Sequence, residues 1–234
     1  MLKACLNGGV SRQAHPAVPV TAAELAADAA RCVEAGAGAV HVHPRDGAGR
    51  ETLDAAPMAE ALSTIRAACP GLPVGVSTGA WIETDPTARV AAVRSWSVLP
   101  DFASVNAHEE GAEQVAAALH LRGVGVEAGL WTPAAVEAYR GWRVPCLRIL
   151  LECISEAPVE ALVNAERMLA ALPAGGPPVL LHAEGPAVWA VLRFAVRRGL
   201  QTRIGLEDTD RLPESSRTPG NAELVAAAVR LGAG

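Results

Sequence analysis

Aromatic residues are scarce in this chain. They make up 3% of its 234 positions, although half of the residues are hydrophobic. A core must therefore be assembled from Ala, Val and Leu rather than from rings. No apolar run reaches the roughly 18 residues that a membrane-crossing helix needs, and no signal-peptide hydrophobic region follows the first residues. These absences predict a cytoplasmic protein with no membrane partner. Basic residues are also in deficit: 20 Lys and Arg face 25 Asp and Glu, a net charge of −5 that leaves no footprint for nucleic acid. The five cysteines, Cys5, Cys32, Cys69, Cys146 and Cys153, are odd in number and include no C-x-x-C pair. They read as buried small apolar residues in a reducing compartment. No G-x-G-x-x-G follows an apolar run, so the usual dinucleotide signature is missing.

What is present is an alternation. Short β-rich runs at 3–6, 38–43, 73–77, 102–106, 123–127, 146–151, 178–182 and 202–206 are separated by Ala-rich helical stretches. The helices are expected at 22–35, 55–68, 86–94, 110–122, 133–140, 158–171, 186–198 and 220–231. Thr21 before Glu24 spells a capping box, Pro86, Pro133 and Pro186 sit where a first helical turn tolerates proline, and Gly36 and Gly199 suit C-terminal caps. Eight strands each followed by a helix are the count of an α/β (β/α)8 TIM barrel, a single domain over 1–234. An open doubly wound sheet is the rival.

Barrel enzymes carry their chemistry at the C-terminal strand ends. Those positions are Asn7, His41 and His43, Ser77 and Thr78, Asn106 and His108, Glu127, Glu152, His182, and Glu207 with Asp208. Each end is polar, following a strand body of Val, Leu, Ile and Ala that is expected to fill the barrel. In Ala39-Val40-His41-Val42-His43-Pro44 the period of two sends both imidazoles to one side, and Pro44 ends the pairing. Two neutral imidazoles at a strand tip suit a divalent transition metal, and Glu207 at another strand end is a candidate third ligand. That set suits zinc with an open position, and iron or manganese fit it too. Arg203 lies in an otherwise apolar run, so it is either a structural ion-pair member or a group that binds a substrate carboxylate or positions Asp208. Asp208, beside Glu207, is placed to act as a general base. Ser77 and Thr78 offer hydroxyl donors near a helix start. No nucleophilic triad stands out, His108, Glu152 and His182 have no assigned role, and His15 and His120 read as surface residues.

The pattern resembles a known family, the β-keto acid cleavage enzymes, which include the 3-keto-5-aminohexanoate cleavage enzyme. His41-Val-His-Pro-Arg-Asp-Gly-Ala-Gly-Arg-Glu-Thr52 is similar to its H-x-H-x-R-D-x-x-G segment, and Arg203-Ile-Gly-Leu-Glu-Asp208 to its R-x-G-x-E-D segment. Asn7-Gly-Gly9, the run 17–26 and Gly220-Asn-Ala-Glu-Leu-Val225 resemble its first loop, first helix and last helix. The resemblance implies a zinc-dependent barrel, usually a homotetramer, that condenses a β-keto acid with acetyl-CoA to give acetoacetate and a new acyl-CoA. It implies His41, His43 and Glu207 as Zn²⁺ ligands, Arg203 and Asp208 as the activating pair, and Ser77 and Thr78 as the carboxylate-binding region. Asn106 and Glu127 are expected to touch substrate. One departure stands out: the family often has two acids separated by one residue on the fifth strand, whereas Glu127 here is followed by Ala128 and Gly129. A metal-dependent barrel hydrolase and a non-catalytic binding barrel are the competing readings.

Overall fold

A computed structural model describes residues 1–154 and 157–234. Among them eight strands alternate with eight α-helices: β1 (Leu2–Cys5), α1 (Ala22–Glu34), β2 (Ala39–Val42), α2 (Ala55–Ala68), β3 (Val74–Ser77), α3 (Pro86–Ser95), β4 (Phe102–Asn106), α4 (Ala112–Leu121), β5 (Gly125–Leu130), α5 (Pro133–Arg140), β6 (Arg148–Cys153), α6 (Pro158–Ala171), β7 (Val179–Ala183), α7 (Val188–Arg197), β8 (Thr202–Ile204) and α8 (Asn221–Arg230). All neighbours are parallel, in the order β7-β6-β5-β4-β3-β2-β1-β8. A bridge between Leu180 and Gln201 brings β7 against the start of β8 and closes the ring. The chain is a (β/α)8 barrel, as its alternation predicts.

Local chemistry sets the boundaries. Thr21 Oγ1 accepts the Glu24 N–H at 3.3 Å, and the Glu24 carboxylate accepts the N–H groups of Val20 and Thr21 at 3.0 Å, completing the capping box. Pro133 follows Thr132, whose hydroxyl accepts the Ala135 N–H. Pro186 instead lies in a short 3-10 turn over Gly185–Ala187, so α7 starts two residues later than expected. The larger corrections concern β5 and β6, which end at Leu130 and Cys153 rather than at 127 and 151. Ala128-Gly129 reads as a turn in isolation, yet Gly129 pairs with Asn106 on one side and Leu150 on the other, which carries the strand through it.

The filling of the barrel also differs from expectation. Val40, Val42, Val74, Val76 and Val126 pack outward with Met58, Leu62, Ile65 and Leu119 of the helices. Ile149, Leu151 and Leu181 do the same with Val136, Met168 and Val191. The alternate residues face the lumen, and at its base they are ionic. Lys3 Nζ on β1 reaches Glu127 Oε2 on β5, the strand opposite, at 2.6 Å, and both side chains are fully buried. Arg148 Nη1 lies 3.1 Å from the other Glu127 oxygen. Lys3 and Arg148 both stand over the Phe102 ring, 5.2 and 5.5 Å from its centre. The outward aliphatic strand residues thus hold the helices, and the base of the lumen is built from Lys3, Glu127 and Arg148 around the Phe102 ring.

Candidate active site

The H-V-H segment leads into a hairpin. Asp46 Oδ1 accepts the N–H groups of Ala48 and Arg50, Gly49 turns the chain, and Arg45 bridges antiparallel to Glu51. The return strand delivers Glu51 Oε1 to His43 Nδ1 at 2.5 Å. Asn7 clamps the backbone of the same residue twice, donating from Nδ2 to His43 O and accepting its N–H, both at 2.9 Å. Arg45 ties the first loop down by donating to the Gly8 and Val10 carbonyls.

With Nδ1 held by a carboxylate, His43 turns Nε2 inward, 3.0 Å from His41 Nε2. Glu207 Oε2 lies 3.7 Å from the same His43 nitrogen and is buried without a hydrogen-bond partner. One ligand atom from each of His41, His43 and Glu207 lies within 4.8 Å of the others. Two imidazole nitrogens facing each other beside an orphaned carboxylate oxygen fit a shared cation and are poorly satisfied without one. Burial, followed by the neighbouring His43 and the cations Lys3 and Arg203, holds the pKa of His41 well below its ordinary value, so the ring is in the neutral form that ligates metals. Burial works against the charge of Glu51, but the bonds to His43 and Trp81 keep its carboxyl below the usual range. The Glu207 side chain rests on Gly8, where φ is +48° and a Cβ would meet Cγ of Glu207 at 2.4 Å.

The R-I-G-L-E-D segment forms the end of β8 and the turn after it. Gly205 is required by close approach, because a Cβ there would lie 1.8 Å from the Cys5 carbonyl oxygen on β1. The turn brings Asp208 back onto Arg203, which donates from Nε and Nη2 to Asp208 Oδ1 at 3.1 and 2.7 Å. Arg203 also meets Glu207 Oε1 at 3.0 Å and donates from Nε to His182 Nδ1 at 3.0 Å. Burial alone would discharge Arg203, but Asp208 and its neighbours hold it firmly protonated. Burial likewise pushes Asp208 up to about 7, against the pull of Arg203.

His41, His43, Glu51, Arg203 and Glu207 open on a cavity of about 340 Å³, lined also by Ser77, Trp81, Asn106, Trp131, Glu152 and Glu184 among others, whereas Asp208 and His182 lie buried behind Arg203, outside the lining. Ser77 and Asn106 therefore share a cavity with the three candidate ligands. Thr78 does not: its hydroxyl donates to the Ser104 carbonyl at 2.8 Å and the residue is fully buried. Glu127 is also absent from the lining. Its strand runs three residues further than expected, which leaves its carboxylate in the lumen, spent on Lys3 and Arg148. Gly75-Val-Ser-Thr-Gly79 has the G-x-S-x-G spacing of a nucleophile turn. Ser77 Oγ, however, accepts the Gly79 N–H, and no imidazole bonds to it among the described residues.

Four histidines lie outside the ligand set: His182, which accepts from Arg203, and three more. His15, expected at the surface, is buried: its Nδ1 accepts the Ala17 N–H and its Nε2 donates to the Thr218 carbonyl, which pins the first βα loop to the last. His120 is exposed as expected, and His108 is exposed with its ring 4.6 Å from Trp131. Sequence reasoning missed Glu51, along with Trp81, Trp131 and Glu184 of the cavity lining. Glu51 lies inside the quoted motif, but only the hairpin turns it toward His43.

Comparison with known proteins follows the same lines. A curated relative, the 3-keto-5-aminohexanoate cleavage enzyme of Fusobacterium nucleatum subsp. nucleatum, is 36% identical over 70 residues, 30% of this chain and 26% of the relative. Among solved structures, the apo form of ObcA superposes with a TM-score of 0.73 at 16% identity, covering 93% of this chain and 63% of that one. A ternary complex of ObcA with a C4-CoA adduct and oxalate gives 0.72 at 16% identity, covering 92% and 63%. The chain thus spans about a quarter of the curated relative and just under two thirds of ObcA. Among the described residues no helix is long and apolar enough to cross a membrane. The family model for beta-keto acid cleavage enzymes matches residues 1–137 and 149–234, and by that match the chain belongs to the β-keto acid cleavage enzyme family.

Proposed function

We propose that this chain is a zinc-dependent enzyme that exchanges acyl groups between a β-keto acid and acetyl-CoA, giving acetoacetate and a new acyl-CoA. The observation that carries this reading is the cavity shared by His41, His43, Glu207 and Arg203, with the three ligand atoms close together and Asp208 held directly behind Arg203. Two imidazoles and a carboxylate suit Zn²⁺, which when bound acts as a Lewis acid on keto and carboxylate oxygens. Glu51 holds His43 in the tautomer that ligates. Asp208 takes the proton from the carbon next to the keto group, and Arg203 fixes its orientation through two donated hydrogen bonds. Ser77 and Asn106 contact the substrate; Thr78 supports that wall through Ser104, and Glu127 has no part in the chemistry. The five free cysteines suit a reducing cytoplasm, and a homotetramer is the assembly implied by resemblance.

The test is to load the protein with zinc and incubate it with acetyl-CoA and a panel of β-keto acids. Acetoacetate together with a new thioester supports the reading. Hydrolysis without acetyl-CoA sinks it in favour of a metal-bound hydroxide. Asp208→Asn should retain zinc by metal analysis while turnover falls by about 10²-fold or more. Full activity in that variant removes Asp208 from the base role.

A further inference from the structure

The loop between β3 and α3 lines the metal side of the cavity with Trp81. Its residues 79–82 form a turn, closed by the Ile82 N–H donating to the Gly79 carbonyl at 3.0 Å. The turn folds the indole back over Gly79, where a Cβ would lie 2.3 Å from the six-membered ring. The indole runs nearly parallel to the His43 imidazole, at 21° with the ring centres 6.3 Å apart. Its Nε1 donates to Glu51 Oε1 at 3.2 Å. That oxygen is the one that meets His43 Nδ1. Trp81 is nonetheless 51% exposed, so burial of the ring does not account for its placement.

What a second donor does follows from the freedom of a carboxylate. Glu51 has a long, flexible side chain that is partly open to solvent. A single hydrogen bond to an imidazole leaves it able to swing about that bond or to offer its other oxygen. A donor from a different loop, reaching the same oxygen, fixes the plane of the carboxylate. The imidazole is then held with Nε2 toward His41. A phenyl ring at this position would stack on His43 as well, but it has no hydrogen to donate.

We propose that Trp81 is a positioning residue for the metal centre: its indole N–H fixes the Glu51 carboxylate that orients His43, and Gly79 provides the seat for the ring. The assignment rests on the function proposed above only for the identity of the ion. Trp81 acts through Glu51, so its effect on metal binding vanishes once that carboxylate is gone.

The test is a double-mutant cycle on the full chain, read as zinc affinity in a competitive chelator titration. Trp81→Phe keeps a ring over His43 but removes the donor. It should weaken zinc binding by about threefold to tenfold, less than the roughly 10- to 100-fold typical of a direct partner of the ligand. Gly79→Ala keeps the indole but pushes it off its seat, and should give a similar loss. In a Glu51→Ala background, Trp81→Phe should have no further effect. Wild-type affinity in either single variant overturns the proposal. A loss that adds in full to that of Glu51→Ala also overturns it, because the ring would then act without the carboxylate. A second readout needs no metal. In the zinc-free protein, the ring ¹⁵N shifts of His43 should place the hydrogen on Nδ1 in the wild type and show a larger share of the Nε2–H tautomer in Trp81→Phe. An unchanged tautomer overturns the positioning role. A tautomer change in a wild-type protein that fails to hold zinc leaves Trp81 in its role and removes the zinc reading instead.

Discussion

Glu51 is eight residues beyond His43 in sequence, yet it decides which nitrogen of that imidazole faces the cavity. A carboxylate that orients a ligating histidine is typically worth 10- to 100-fold in metal affinity. Glu51→Ala is therefore expected to weaken zinc binding by about that factor in a competitive chelator titration, with the fold intact by circular dichroism. Unchanged affinity would show that Asn7 and the strand alone orient His43. At this scale the sequence was legible where a period of two suffices: His41 and His43 share a side because β2 is a strand. Glu51 was not legible, because its position depends on a hairpin closed by Asp46 and Gly49. His15 was misread for a related reason. A loop histidine looks exposed until the last loop folds over it and offers the Thr218 carbonyl.

Among the elements, α1 begins where the Thr21–Glu24 box predicts, because both halves of a capping box lie within four residues. The two backbone hydrogen bonds that Glu24 accepts, from Thr21 and Val20, lower its pKa from 4.5 to about 2. A carboxyl whose folded pKa is depressed stabilises above its unfolded pKa and loses that contribution as pH falls through the folded one. The difference in Tm between wild type and Glu24→Gln should thus be present at neutral pH and shrink from about pH 4.5 toward about pH 2. A difference independent of pH would mean that Glu24 acts by packing rather than by charge. The β5 boundary was harder to read, since Ala128 and Gly129 look like a turn and only pairing to β4 and β6 extends the strand. That three-residue error moved Glu127 from the mouth to the lumen.

The whole ring distributes its residues by side. Its count of eight units was readable from the alternation, because each helix needs an apolar strand face to cover. The lumen was not readable, since Lys3, Glu127 and Arg148 lie far apart in sequence and meet only when the ring closes. Removing one partner of a buried ion pair commonly costs about 3–5 kcal/mol. Lys3→Met should lose roughly 3 kcal/mol in chemical denaturation, toward the low end because Arg148 still faces Glu127. A neutral result would mean that the pair only breaks even against an apolar filling.

The meeting of β7 and β8 has a consequence of its own. The other neighbours are laced by registers of three to five residues, whereas this junction rests on the Leu180–Gln201 bridge and on side chains such as Arg203 and His182 that reach across it. Transient opening of the cylinder should start along this seam, so the amide hydrogens of Leu181 and Gln201 should exchange with deuterium sooner than those of β4 and β5. The groups proposed to move protons would then sit on the hinge of the molecule's easiest breathing motion, and a ligand joining β7 to β8 would slow that exchange.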